Sequence, residues 1–412
     1  MEVKRSNDYA VDIGPMGPIG EGEALILRAT RNCPWNRCLF CPAYKNEKFG
    51  YRNVTEVKKD IDTVRRIKGL VEETSWRIGF GGRIKREILH EVIYAHPEIY
   101  GKDNSGLSLE NYTARRSLGN VVNWLTCGER RVFLQDANSL IMRPKELTGV
   151  LRYLKETFPT IQTITSYARS KTCAQRSPRE LEELKKAGLS WLFVGIESGC
   201  DEVLRFMKKG VTAEEHIEGG QKVKQAGINL AAFVMPGLAG KNRELTEKHI
   251  SETISVLNEI KPTEVRVRSL AVLESSPLYI KWESGEFDAP PEDQMIDEIR
   301  LLIENLNFDC TIETLQMTNV LFNIAGRLPA KKEEMLVKIS QYKALPPMER
   351  LRFRLSRYLY GGYLDFVIEW GKFDFPLGQL IKGAIASLEK GSPDAETKTE
   401  KAIFAIKSKG VP

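Results

Sequence analysis

The sequence predicts an α/β fold, a partial (β/α)6 TIM-like barrel with a helical C-terminal region. Short apolar segments alternate with amphipathic ones between residues 131 and 270. Strands such as 192–196 are apolar on both faces, which is typical of a parallel sheet covered by helices. An earlier apolar segment at 23–29 raises the number of strand–helix units to six, which favours a partial or complete barrel over an open sheet.

The predicted strands and helices follow one another in a regular order. The strands are expected at 23–29, 131–134, 160–168, 191–196, 229–234 and 264–270. The helices are expected at 54–73, 144–157, 178–187, 201–208, 213–226 and 245–260. Gly188 and Gly227 each follow a helical pattern, at the position where glycine commonly ends a helix.

Two domains are predicted. Residues 1–290 would form the barrel domain, with an insertion of helices and loops at about 76–130, and residues 291–412 a mainly helical C-terminal domain. In the second region Arg350, Arg354 and Arg357 recur at helical spacing. Such a stripe could contact phosphate, RNA or an anionic membrane surface, but we favour an amphipathic helix whose basic face lies in water.

The composition describes an ordinary globular protein. Of 412 residues, 42% are hydrophobic and 28% charged, which excludes a disordered chain. The net charge of +6 is too small to indicate nucleic-acid binding by itself. No apolar run approaches the ~18 residues of a membrane-spanning helix, and the N-terminus lacks the apolar core of a signal peptide. We therefore expect a cytoplasmic location.

Three of the seven cysteines fall within nine residues, at Cys33, Cys38 and Cys41. Their irregular segment follows a predicted strand and suits one metal centre. Zinc usually takes four protein ligands, and the next cysteine, Cys127, lies far along the chain. Three thiolates would instead leave one iron of a 4Fe–4S cluster open. A zinc site completed by a distant residue and plain structural cysteines remain alternatives.

The run Cys33, Cys38, Leu39, Phe40, Cys41 resembles the cluster loop of radical S-adenosylmethionine (SAM) enzymes, although the first gap has four residues instead of the usual three. It is similar to a branch near the elongator-type and oxygen-independent coproporphyrinogen oxidase-type members, over about residues 25–279. The resemblance implies one 4Fe–4S cluster whose open iron binds SAM. It also implies reductive cleavage to a 5′-deoxyadenosyl radical, which abstracts hydrogen from a substrate, and an electron donor such as a ferredoxin or flavodoxin.

The resemblance also implies residues that hold SAM after the second and third strands. Gln135, Asp136 and Asn138 stand where the family usually has a glycine-rich turn, and they offer oxygen acceptors to the methionine amino group. A plain turn or helix cap is the alternative. Arg169, after the third strand, could pair with a carboxylate or face the substrate, or it could simply be solvated.

The match around the fourth strand is the strongest outside the cysteines. Glu197 and Ser198 match a family motif in which the acid or amide at the position of Glu197 binds the ribose of SAM. A carboxylate suits this role because it can accept hydrogen bonds from both ribose hydroxyls. A cation at Lys209 would meet the methionine carboxylate, with Lys208 as a competitor for that role.

The resemblance continues into the fifth strand and the turn that follows it. Pro236 and Gly237 match a turn on the adenine side, where small residues allow close backbone approach, and Phe40 would border adenine. On the sixth strand, Arg266 and Arg268 share one face, either inward toward an anion or outside the barrel.

The sequence therefore predicts a radical SAM enzyme with an unidentified substrate. A non-catalytic haem or iron–sulfur carrier on the same fold is one alternative, and a zinc-dependent RNA-binding module is a weaker one. Contact with nucleic acid or a membrane surface is not indicated. The four remaining cysteines are scattered, so no second cluster is expected.

Overall fold

The computed structural model describes residues 5–15, 21–101 and 107–410, so residues 102–106 of the predicted insertion lie outside the described residues. The strands are β1 (Leu25–Arg28), β2 (Thr30–Arg31), β3 (Gly50–Tyr51), β4 (Arg131–Gln135), β5 (Thr163–Ala168), β6 (Leu189–Glu197), β7 (Asn229–Val234), β8 (Glu264–Val267), β9 (Cys310–Glu313) and β10 (Ala325–Leu328).

The α-helices before the sixth predicted strand are α1 (Val54–Arg77), α2 (Ile88–Ala95), α3 (Pro97–Tyr100), α4 (Leu109–Thr126), α5 (Pro144–Thr157), α6 (Ser170–Gln175), α7 (Pro178–Lys186), α8 (Asp201–Phe206), α9 (Ala213–Gln225) and α10 (Arg243–Ile260). Those after it are α11 (Pro277–Glu283), α12 (Glu292–Asn305), α13 (Lys332–Lys343), α14 (Pro347–Tyr360), α15 (Tyr363–Glu369), α16 (Phe375–Lys390) and α17 (Ala395–Ser408). No helix in the described ranges is both long and apolar enough to cross a membrane.

The chain divides into two compact units. The first comprises Met1–Pro34, Asn46–Phe193 and Gln225–Asn229, and the second Trp35–Lys45, Val194–Lys224 and Leu230–Pro412. Strand β6 contributes its first residues to the first unit and its last residues to the second. The predicted domain boundary at residue 290 stays a prediction.

The first unit contains the strand order β1-β4-β5-β6. β4 pairs in parallel with both neighbours, with Leu25 opposite Val132 and Arg131 opposite Thr163. Val132, Phe133 and Leu134 are fully buried, because helices cover both faces of a parallel sheet. Because β1, β4 and β5 are parallel, their carboxyl ends meet at one edge, where the predicted turn at Gln135 begins.

The second unit continues the order from β6 through β7, β8 and β9 to β10. β8 is parallel to β7 and β9, whereas β10 is antiparallel to β9. All six predicted strands are present. The additional parallel strand β9 was not predicted. The predicted fold class, α/β with a mainly parallel sheet and a helical C-terminal region, is confirmed.

The basic face predicted to lie in water on α14 is partly buried, so that prediction was wrong. Arg354 and Arg357 are only 4% and 8% exposed. Arg354 forms ion pairs with Asp293, at 2.8 Å, and with Glu400. Because acids from other helices neutralise Arg354, its charge can be taken out of water.

A second buried pair joins α17 to α12. Lys407 Nζ lies 2.6 Å from Glu292 Oε1, and both side chains are 6% exposed. The Tyr358 hydroxyl lies 3.0 Å from the other carboxylate oxygen. The carboxylate is therefore the counter-charge that allows the ammonium group to be buried.

Glu292→Gln should destabilise the protein by about 3–5 kcal/mol, because it leaves Lys407 buried without a counter-charge. Urea unfolding followed by tryptophan fluorescence measures this loss. The matched control is Glu304→Gln on the same helix, which breaks the more exposed Arg300–Glu304 pair and should cost less than about 1 kcal/mol. Equal losses in the two variants would contradict the account.

Candidate functional site

The three clustered cysteines differ from the buried ones in their surroundings. Cys33, Cys38 and Cys41 are partly exposed thiols in a segment without regular secondary structure. Cys173 and Cys310 are buried, and burial raises the pKa of each thiol to about 12. Since metals bind thiolates, the clustered thiols are the better donors. Their partial exposure and spacing fit a metal cluster.

We call residues 32–44 the cysteine segment. Within residues 5–15, 21–101 and 107–410, no group of three or more His, Cys, Asp or Glu side chains is placed so that it could hold a metal ion. The assignment of the three cysteines as ligands therefore stays a prediction, supported by the donor chemistry.

In the first unit, a buried ion pair holds the start of the cysteine segment. Arg28 Nη2 lies 2.6 Å from Asp136 Oδ2, and the Asp136 side chain is fully buried. The same carboxylate oxygen accepts the backbone N–H of Asn32 at 2.9 Å. The Asn32 side chain in turn accepts from Arg28 Nη2 at 2.8 Å. The residue before Cys33 is thus fixed from β1 and from the turn after β4.

Further charges surround this pair. Asp12 lies within 3.6 Å of Arg28, Arg31 and Arg52. Burial alone would raise the pKa of Asp12, but the three guanidinium groups hold it below its ordinary value. Arg52 also pairs with the buried Asp60 at 2.7 Å. The three arginines therefore favour the ionised form of the Asp12 carboxylate.

The other residues predicted to hold the cofactor in the first unit bind neighbouring groups of the protein. Gln135 Oε1 accepts from the backbone N–H of Gly14 at 2.8 Å. The buried Asn138 donates to Thr172 Oγ1 at 2.8 Å and accepts from the backbone N–H of Arg169 at 3.3 Å. Arg169 itself stands at the N-cap of α6. Their predicted contacts with a cofactor stay predictions.

In the second unit, three predicted cofactor residues lie together. Lys209 Nζ lies 3.0 Å from Glu197 Oε1, and the two side chains are 13% and 12% exposed. The same ammonium group lies 5.6 Å from the centre of the Phe40 ring. Glu197 has a positive φ of 63°, so the chain turns sharply at the end of β6. The result is a compact cluster of one carboxylate, one ammonium group and one aromatic ring.

The later part of the cysteine segment is fixed to the loop after α8. Trp35 Nε1 donates to the carbonyl of Lys208 at 2.7 Å, and the Leu39 N–H donates to the carbonyl of Met207 at 2.9 Å. Gly210 has φ +68°, and the Trp35 ring fills the space that a β-carbon there would need. These contacts hold Phe40 beside Lys209.

The turn at Pro236 and Gly237 lies next to the end of β6. The N–H of Met235 donates to the carbonyl of Glu197 at 3.0 Å. Gly237 has φ +86°, and Met295 of α12 occupies the space where a β-carbon would be. Glycine is therefore required on both conformational and steric grounds.

Behind this turn lies a buried polar chain that the sequence analysis missed. Ser198 Oγ lies 2.7 Å from His249 Nδ1, and His249 Nε2 lies 3.6 Å from Glu298 Oε2. That carboxyl oxygen also accepts the N–H of Gly237 at 2.8 Å. The sequence does contain a signal for this polar chain, because Glu298 is an acidic residue among the apolar positions of α12.

Arg266 and Arg268 have different surroundings. Arg266 Nε lies 2.9 Å from Glu264 and 3.4 Å from Glu313, so its charge is neutralised within the sheet. Among the described residues, Arg268 has no ion pair.

Burial shifts both titratable groups of the polar chain toward neutrality. It raises the pKa of Glu298 to about 7 and lowers that of His249 to about 4. Folded Glu298 keeps its proton up to about pH 7, whereas its ordinary pKa is 4.5. Its contribution to stability is therefore present below pH 4.5 and lost as the pH rises to about 7.

Glu298→Gln removes this titration and retains an oxygen acceptor for Gly237. We expect the stability of the variant relative to the wild type to increase from pH 4.5 to 7, by roughly 1.4 kcal/mol per pH unit at most. Urea unfolding across this pH range measures the difference in free energy of unfolding between the two proteins. Titratable groups that are the same in both proteins contribute equally and cancel from this difference. Parallel curves for the two proteins would show that Glu298 does not titrate in this window.

A comparison with protein families finds that residues 131–252 match the model of the radical SAM superfamily. The chain is also similar to a tRNA uridine(34) acetyltransferase from Methanocaldococcus jannaschii, with 30% identity over 29% of this chain and 22% of that protein. The corresponding enzyme of Methanocaldococcus infernus is 29% identical over 30% of this chain and 23% of its own. The chain thus matches under a quarter of the length of these relatives.

Among solved structures, the archaeal Elp3 of Methanocaldococcus infernus, lacking residues 1–46, is similar at 20% identity and a TM-score of 0.40. The match covers 52% of this chain and 55% of that one. The matched region contains Gln135 and Asp136 of the first unit, and Glu197, Lys209 and Gly237 of the second. Residues 131–252, which carry β4 to β7 and part of α10, therefore match the radical SAM superfamily.

Proposed function

We propose that the chain is a radical SAM enzyme that binds one 4Fe–4S cluster through Cys33, Cys38 and Cys41. The observation that carries the proposal is the cluster of Phe40, Glu197 and Lys209. Phe40 lies between two of the cysteines in the sequence, and its ring contacts the ammonium group that pairs with Glu197. A cation and a hydrogen-bond-accepting carboxylate thus lie beside Phe40, where they suit the carboxylate and the ribose hydroxyls of a nucleoside that carries an amino acid.

The bound cluster would supply the electron that cleaves SAM and releases a 5′-deoxyadenosyl radical able to abstract hydrogen from a substrate. The task of the protein is to position the cofactor. Glu197 accepts hydrogen bonds from the ribose hydroxyls, and Lys209 neutralises the methionine carboxylate. Before the cofactor binds, each of these two groups satisfies the other, which avoids an unpaired charge in a largely buried place.

The residues of the first unit have a supporting role in this proposal. The Arg28–Asp136 pair fixes Asn32 and thereby the position of Cys33. Asn138 fixes the start of α6 by accepting the Arg169 N–H. We include a ferredoxin or flavodoxin as electron donor. None of the seven cysteines forms a disulfide, which fits a reducing compartment such as the cytoplasm.

The substrate is not fixed by these residues. Because two relatives are named as tRNA-modifying enzymes, tRNA is the first substrate class to test. A haem or iron–sulfur carrier would bind its group but release no 5′-deoxyadenosine, and a zinc module would contain zinc without labile sulfide. The deciding experiment is anaerobic reconstitution followed by reduction with SAM and measurement of 5′-deoxyadenosine.

Replacing Cys33, Cys38 or Cys41 singly by alanine should remove most iron and labile sulfide and abolish formation of 5′-deoxyadenosine, because three thiolates are needed to hold the cluster. Metal and sulfide analysis after reconstitution measures this. Cys127→Ala is the matched control, since Cys127 is also a partly exposed thiol, and it should keep both. Loss of iron in the control alone would contradict the assignment.

Glu197→Ala should leave the iron content unchanged and weaken SAM binding by about ten- to a hundredfold, the equivalent of the ~1.5–3 kcal/mol of a hydrogen bond to a charged group. Equilibrium dialysis with labelled SAM measures the affinity of the reconstituted protein. Glu202→Ala is the control, because Glu202 forms an exposed pair with Lys248 on the surface. If both variants bind SAM as the wild type does, Glu197 does not contact the cofactor.

A further inference from the structure

Arg357 of α14 is buried without an acidic partner. It is 8% exposed, and no carboxylate within the described residues forms an ion pair with it. Its guanidinium group donates to the carbonyls of Gly361, at 2.9 Å, and Met317, at 3.4 Å. Its Nε has no hydrogen-bond partner. Burial lowers the pKa of this arginine below its ordinary value, and an arginine nevertheless remains charged.

This situation contrasts with that of Arg354, one turn earlier on the same helix. Arg354 is equally buried but lies beside Asp293 and Glu400. A buried charge without a partner destabilises a protein, whereas a paired one is tolerated. The unpaired charge on Arg357 is therefore a feature that stability alone does not explain.

Two further polar groups without partners belong to the turn after β9. Gln316 Nε2 and Thr318 Oγ1 are buried and have no hydrogen-bond partner in the described structure. They flank Met317, whose carbonyl accepts from Arg357. A side-chain amide N–H, a hydroxyl and a guanidinium group thus have donor capacity unused in one small region.

The turn that carries these groups is held rigidly at the carboxyl end of β8. Asn319 donates to the carbonyl of Val267 at 2.7 Å and accepts the N–H of Ser269 at 2.8 Å. In α/β proteins with parallel strands, ligands bind at the carboxyl ends of the strands. The donors are therefore placed at the edge where a substrate is expected.

A second arginine borders the same region. Arg268 directly follows β8 and precedes Ser269, whose N–H donates to Asn319 of the same turn. The Phe322 ring lies 4.3 Å from the Arg357 guanidinium carbon and is 44% exposed. The exposed Phe322 ring therefore covers one face of the guanidinium group.

We propose that Arg357, Gln316 and Thr318, with Arg268 nearby, form a binding site for an oxyanion of the substrate, either a carboxylate or a phosphate. The planar fork of an arginine matches both groups, because each presents two oxygens side by side. The inference rests on the proposed function, since it assigns the oxyanion to the substrate of that reaction. It places substrate recognition outside the matched region at residues 131–252.

Thermal melting of the full-length reconstituted protein tests this with inorganic phosphate and acetate, each compared with chloride at equal ionic strength. We expect the wild-type melting temperature to rise by ~2 °C or more at saturating oxyanion. A shift with phosphate, acetate or both supports the site and identifies which oxyanion it takes. Arg357→Met should lose the shift, and without oxyanion it should melt at or above the wild-type temperature, because an unpaired buried charge has been removed.

Arg352→Met is the matched control, because Arg352 is an exposed arginine on the same helix, and it should keep the shift. Phosphate also stabilises proteins in general, and this effect is the same for the wild type and both variants at one phosphate concentration. Comparing the three proteins at that concentration therefore isolates binding through Arg357. Arg357→Lys keeps the positive charge but lacks the planar guanidinium group that donates two parallel hydrogen bonds. It should therefore bind the oxyanion at least tenfold more weakly than the wild type.

Equal wild-type melting temperatures in all three salts, or a full shift in Arg357→Met, would overturn the proposal. Thermal melting requires no catalytic turnover, so its outcome does not depend on whether the protein releases 5′-deoxyadenosine. A protein that binds oxyanion through Arg357 but releases no 5′-deoxyadenosine would overturn only the proposed reaction.

Discussion

The pairing of buried charges at the carboxyl ends of the parallel strands is the constraint on which the candidate site depends. A charge at such a place must be neutralised, because burial without a partner is costly. In the first unit Asp136 meets this requirement through Arg28, and the same carboxylate holds the backbone before Cys33. In the second unit Glu197 pairs with Lys209 beside Phe40. Each pair thus both satisfies a buried charge and fixes a part of the cysteine segment.

The C-terminal region supports the strand ends from beyond the matched family region. Glu298 of α12 binds the N–H of Gly237 and lies 3.6 Å from His249, while Met295 packs against the same turn. The neutral state that burial imposes on Glu298 and His249 lets these polar groups lie behind the turn without a net charge. Within the second unit, α12 therefore supports the turn after β7, and we place substrate recognition in the region that follows the matched one.

Local patterns were sufficient to predict the positions of six strands, because apolar runs are properties of neighbouring residues. The spacing of the cysteines selected the cysteine segment in the same way, and its role as a metal site stays a prediction. The partners of those residues could not be predicted in the same way. Arg28 and Asp136 are far apart in the sequence, and nothing near Asp136 distinguishes a ligand for a cofactor from a support for the chain. The basic stripe on α14 was expected in water, but acids from α12 and α17 neutralise Arg354. Strand β9 was missed because the polar residues Thr311 and Glu313 alternate with its two buried residues and interrupt any apolar run.

The most direct test of the central claim is the electron paramagnetic resonance spectrum of the reconstituted, reduced protein with and without SAM. The account predicts the signal of one reduced 4Fe–4S cluster whose g-values change when SAM is added, because three cysteines leave one iron open to the cofactor. In Glu197→Ala the signal without SAM should be unchanged. A protein that contains zinc and no labile sulfide, or a cluster signal that SAM does not alter, would contradict the account.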